Sequence, residues 1–181
     1  MATTLEEIAR FLDQSPFLYD VRAEYNDIIT FYKTSNYIDR GGDYILPIVL
    51  LVEEEGRFLK IFAPNCYSYK KTLYVKEFFQ ALLMISFHTK MLQFECDQEA
   101  EMIFAMVEFP LEDAQLTKKQ LFRAIDSLAV LIDRFDPAVR VVLETGAIHL
   151  GEESTFQDSF LQLLNEDAPE EDSEQESDEW I

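Results

Sequence analysis

Residues Met91–Asp136 read MLQFECDQEAEMIFAMVEFPLEDAQLTKKQLFRAIDSLAVLIDRFD. Two short alternating runs, the second ending at Phe109-Pro110-Leu111, lead into a helix that Thr117-x-x-Gln120 opens as a capping box. Such a box satisfies two of the N–H groups that the first turn of a helix leaves without partners. Leu121, Ile125, Leu128, Ala129 and Ile132 then recur at helical spacing and form the buried stripe. Strand, strand and long amphipathic helix in this order point to an α+β domain, with helices packed on an antiparallel sheet. Asp136-Pro137 is expected to interrupt the helix, and residues 138–144 to form a short last one.

The same reading extends upstream. Thr4-Leu5-Glu6-Glu7 is a second capping box, with Leu5, Ile8, Phe11 and Leu12 on one stripe and Ser15-Pro16 as the stop. Residues 18–63 read as strands. Ile28–Tyr32 is β-branched and aromatic, Arg40–Asp43 is a turn, and Tyr44–Val52 is an apolar strand. Glu54-Glu55-Gly56 then turns the chain into Phe58–Ala63 as a hairpin partner. Pro47 cannot donate a ladder bond and marks an edge or a bulge. A helix over about 74–88 follows, with Phe78, Leu82, Ile85 and Met91 marking one face and Phe79, Leu83 and Ser86 beside it. The expected order is α-β-β-β-α-β-β-α.

Charge divides the chain. The formal net charge of the 181 residues is −20, yet the stretch 152–181 holds 12 acids and no Lys or Arg. That leaves 23 acids against 15 bases elsewhere, a net of −8. Residues 1–150 are therefore expected to be the folded domain, 151–165 an amphipathic helix, and 166–181 an acidic tail with too little apolar content to fold. This field repels phosphate backbones and anionic lipid, which argues against nucleic-acid and membrane partners. No signal-peptide pattern is present, and the longest apolar run, Tyr44–Val52, is too short to span a bilayer, so a cytoplasmic protein is expected. Cys66 and Cys96 form no CxxC and are expected to be free, Cys96 as a small core residue at a strand end.

The helix, three-stranded meander, helix, two strands and helix resemble the type III secretion chaperone-like fold, and within it the YbjN-like proteins. The residues that carry the likeness are Arg57–Ala63, Phe78–Phe87 and the stretch from Phe94 through Val107-Glu108-Phe109-Pro110-Leu111 to Leu121, within a span of 4–145. The resemblance implies a domain that commonly dimerises and binds proteins, in a family loosely described as sensory transduction regulators. It supplies no catalytic residues.

The residues themselves point the same way. The two histidines, His88 and His149, share no ligand-set spacing with cysteines or carboxylates, so no metal or cofactor is expected. Phosphate-loop, dinucleotide, nucleophile-elbow and calcium-loop motifs are missing from the sequence, which argues against an enzyme.

Three features are candidates for binding. In the strand over 101–109, Met102, Phe104 and Met106 alternate with Ile103, Ala105 and Val107, so both faces are apolar, and Phe58 and Phe62 repeat this opposite Leu59 and Ile61. Either helices cover both sides, or Phe58, Phe62, Met102, Phe104 and Met106 form a dimer or client surface. The stretch 65–76 gathers Lys70, Lys71 and Lys76 with Tyr67, Tyr69 and Tyr74, either as an ordinary solvated loop or as an anchor for an acidic segment. Phe156, Phe160, Leu163 and Leu164 make a C-terminal stripe that would suit a groove on a partner, or would pack on the domain itself. The leading expectation is a chaperone-like or adaptor-like protein-binding domain that forms a homodimer. A regulator that senses a small ligand or partner is the alternative.

Overall fold

The computed structural model describes residues 2–151. The expected C-terminal helix and tail, with Phe156, Phe160, Leu163 and Leu164, lie outside the described residues. The chain runs α1 (Leu5–Leu12), β1 (Tyr19–Arg22), β2 (Asp27–Lys33), β3 (Ile45–Glu53), β4 (Phe58–Ser68), α2 (Val75–His88), β5 (Gln93–Asp97), β6 (Met102–Pro110) and α3 (Lys118–Thr145). The six strands form one sheet in the order β1-β2-β3-β4-β6-β5, antiparallel throughout. The α+β class is as read from sequence.

Several local expectations change. Four strands precede α2 rather than three, because Tyr19–Arg22 adds itself to the edge of β2. It has no apolar alternation to betray it; its place is set by pairing, and by the Thr30 hydroxyl donating to the Leu18 carbonyl at 2.9 Å. β4 continues to Ser68 through an irregularity between Ala63 and Tyr67. The Thr4 hydroxyl accepts from the Glu7 amide at 3.3 Å, but the Glu7 carboxylate turns to Arg10, 3.9 Å away, rather than back to the cap. The Thr117–Gln120 box forms in full.

The largest difference is α3, which passes through Pro137 without a break. A proline inside a helix forfeits one backbone bond and crowds the carbonyl four residues back. Here Phe135, Val139 and Val142 are buried on both sides of it while Pro137 itself faces solvent. Core packing holds the axis, so tertiary burial overrides the local break. Pro47 behaves as expected of an edge. It pairs with Phe31 of β2, while the β3–β4 ladder begins only at Val49, so its missing donor points past the end of that ladder.

The register assigns the two sheet faces. Leu46, Ile48, Leu50, Leu59, Ile61, Ala63, Ala105 and Val107 point one way and are fully buried. Ring contacts put the helices on that side: Phe78 of α2 lies 6.3 Å from Tyr67 of β4, and Phe17 joins Tyr32 of β2 to Phe122 of α3 at 5.8 and 5.9 Å. Ile8 and Leu12 of α1 and Leu121, Ile125, Leu128 and Val139 of α3 complete this core. Its helix-free side is a different surface.

Candidate functional site

Period-two alternation sends every second side chain of each strand to the helix-free face, and cross-strand pairing lines these up in rows. One row runs Asp20, Ile29, Val49, Phe62, Met106, Gln93 from edge to edge, four apolar residues between polar ends. The row beside it runs Arg22, Asp27, Leu51, Lys60, Glu108 and is charged at both sides. On the other flank Phe104 pairs with Glu95, and Met102 with Asp97. The face thus carries an apolar band walled by charge.

The charged side chains are tied to one another. Arg22 grips Asp27 with two bonds of 2.7 Å. Lys60 Nζ lies 3.3 Å from Glu95 Oε2 and 3.6 Å from Glu108 Oε2. β6 lies between β4 and β5, so the Lys60–Glu95 pair must pass over it, at Met106. The stem of the lysine then covers apolar surface while its ammonium stays with the two carboxylates. A shallow open hollow of about 330 Å³ lies here, lined by Leu51, Glu53, Lys60, Phe62, Glu95, Cys96, Asp97, Phe104 and Met106.

All five sheet candidates therefore share one face, and Phe62 and Phe104 approach ring to ring at 6.2 Å. Their exposure divides them. Phe58, Phe62 and Phe104 are half-buried and reachable, whereas Met106 is 0% and Met102 4% exposed. As contact side chains the two methionines need correcting: Met106 is floor beneath the Lys60 strap and its aromatic neighbours, and Met102 is capped by the Arg40 guanidinium. Among the described residues the helices pack on one side of the sheet only.

The basic island also changes. Lys70, Lys71 and Lys76 are exposed, but Tyr67 is buried against Phe78, and Tyr74 packs on Gly146. At Gly146, with φ +75°, a Cβ would lie 2.5 Å from the Tyr74 ring, so only glycine fits. What stands out instead is Leu73, 92% exposed. The cysteines exchange roles: Cys66 is the core residue, its thiol donating to the Ile103 carbonyl at 3.3 Å, while Cys96 on edge strand β5 is exposed and meets the Tyr69 hydroxyl at 3.1 Å. Being on an edge strand, Cys96 has a neighbour on one side only, which leaves it open.

Four buried groups with perturbed ionisation, Tyr37, Cys66, Tyr67 and Asp136, gather on the helix side. Burial pushes the Cys66 thiol up to about 12 and raises Tyr37 and Tyr67; it also raises Asp136, against the pull of Arg140. Asp133 accepts three backbone N–H groups, from Ser35, Asn36 and Tyr37, and Arg140 donates to the Ile38 carbonyl at 2.9 Å. This network fastens the β2–β3 connection to α3. Tyr37, Cys66, Tyr67 and Asp136 are all nearly sealed from solvent. Among the described residues no group of three or more His, Cys, Asp or Glu is placed to hold a metal ion, and no helix is long and apolar enough to cross a membrane.

Sequence reading missed Lys60, Glu95 and Glu108 as a unit. The available signal was a lone lysine in an apolar strand, Phe58-Leu59-Lys60-Ile61-Phe62. It also missed the 3-4 spacing of Asp133, Asp136 and Arg140 along one helix. Compared with protein-family models, curated proteins and solved structures, the chain matches none.

Proposed function

We propose that this protein is a non-enzymatic protein-binding domain, chaperone-like or adaptor-like, that works as a homodimer in the cytoplasm and holds a client segment on the helix-free face of its sheet. The observation that carries the reading is the face opposite the described helices, where half-buried Ile29, Phe58, Phe62 and Phe104 stand around a floor of buried Val49 and Met106. A contiguous apolar surface with a charged rim is the usual form of a protein contact. Methionine in its floor lends adaptability, since a thioether chain repacks around different partners. The helix–strand order supports a place among YbjN-like proteins of the type III secretion chaperone-like fold, with β1 as an additional strand. A second reading, a regulator that binds a small ligand, draws on the hollow of about 330 Å³ between Leu51, Lys60 and Phe104. Its openness favours a side chain of a client over an enclosed small molecule.

The test compares full-length protein with Phe104→Gln and Phe62→Gln in affinity capture from native extract, with melting temperature and sedimentation measured alongside. Partners held by the parent and lost from both variants at unchanged melting temperature support the reading. Equal capture by all three proteins, or monomeric sedimentation of the parent, counts against the client face or the dimer respectively.

A further inference from the structure

The hollow on the helix-free face is apolar at its floor and acidic at its walls. Leu51, Phe62, Phe104 and Met106 supply the apolar lining. Glu53, Glu95 and Asp97 line it as well, and Glu108 pairs with Lys60 across the β4–β6 ladder. Against these four carboxylates stands one ammonium, that of Lys60, which Glu95 and Glu108 already hold at 3.3 and 3.6 Å. Glu53, Glu95 and Asp97 are exposed, so their charge is within reach of anything seated there. The hollow joins apolar contact to a surplus of negative charge.

That combination decides among occupants. A volume of about 330 Å³ is near the lower end for binding hollows and suits a side chain of a passing segment. An acidic segment would bring like charge to Glu53 and Asp97, and a second copy presenting this same face would set carboxylates against carboxylates. Anionic lipid is repelled for the same reason. A neutral apolar segment would fill the floor and leave the walls unanswered. A basic segment answers both, since an apolar side chain can pack against Phe62 and Phe104 while a lysine or arginine beside it meets Glu53 or Asp97. We propose that the client is a cationic segment, an apolar side chain flanked by lysine or arginine, seated in this hollow. The inference rests on the client reading of the face and adds the chemistry of what the face selects.

The test uses full-length, isotope-labelled protein and short synthetic peptides of Gly and Ser. The first carries a Phe between two Lys, the second has Ser in place of that Phe, and the third has Glu in place of each Lys. Backbone amide shifts report binding residue by residue, which separates the face from the acidic stretch 152–181, where any basic peptide can collect. The expected result is that the Lys–Phe peptide shifts amides around Phe62, Glu95 and Phe104, less so at high salt. The Ser peptide should lose those shifts, and the Glu peptide should bind the face more weakly than the first. Glu53→Gln combined with Asp97→Asn should lower affinity for the Lys–Phe peptide roughly threefold to tenfold. Both positions are exposed and the Lys60 pairs are untouched, so an unchanged melting curve is expected. Equal or tighter binding of the Glu peptide at the face, or unchanged affinity in the double variant, would overturn the cationic rule and leave the client reading standing. Lack of any shift on the face would overturn it too, and capture by the Phe62 and Phe104 variants then decides the client reading on its own.

Discussion

Adjacent residues of β6 give the sharpest contrast between face and core. Ile103 is 1% exposed on the helix side, and Phe104 beside it is half-buried on the bare side. Ile103→Ala removes atoms from a packed interior and should cost about 2–5 kcal/mol. Phe104→Gln should cost less than about 1.5 kcal/mol, because most of what it loses was already near water. Urea denaturation of the two variants checks the difference; equal losses would mean that Phe104 is core. Sequence alternation revealed which residues share a face, since that depends only on the strand period. It could not reveal which face the helices take, nor that Met106 is sealed. Those depend on long-range geometry, in which Lys60 must reach from one strand over a second to Glu95 on a third.

Among the elements, α3 holds the most informative conflict. Pro137 sits in the interior of a continuous helix, exposed, between buried Phe135 and Val139. Pro137→Ala restores an N–H toward the Asp133 carbonyl and relieves crowding, while giving back some freedom to the unfolded chain. The net is an expected gain of about 2 kcal/mol, read as a higher urea midpoint at unchanged helix content. A loss would mean that the proline shapes the axis. Helices α1 and α2 and strands β2, β3, β5 and β6 were legible because capping residues and period carried them. The strand Tyr19–Arg22 was not, because a four-residue edge takes its identity from its neighbour rather than from its own composition. The end of β4 was hidden for a related reason: an irregular pairing between Ala63 and Tyr67 breaks the alternation.

Over the whole molecule, buried ionisable groups set the response to alkali. The Cys66 thiol titrates at about 12 when folded and near 9.0 when exposed, so between those values the folded state keeps a proton that the unfolded state has lost. Its contribution is intact below pH about 9 and is lost as pH rises. Tyr37 and Tyr67, raised from 10.0 by burial, add in the same direction. Melting temperature should therefore fall from about pH 9 upward, with a shallower slope in Cys66→Ala; equal slopes would show that the tyrosines alone carry the effect. The Lys60 strap has a consequence of another kind, for sulfur chemistry. Met84 and Met91 are 37% and 41% exposed, while Met106 is sealed. Peroxide reaches thioethers in order of access. Mild oxidation followed by peptide mass spectrometry should find sulfoxide first at Met84 and Met91 and last at Met106. Lys60→Ala should bring Met106 forward, and a client seated on the face should hold it back. The chain then carries its own clock for whether that face is open, strapped or occupied, readable without any label.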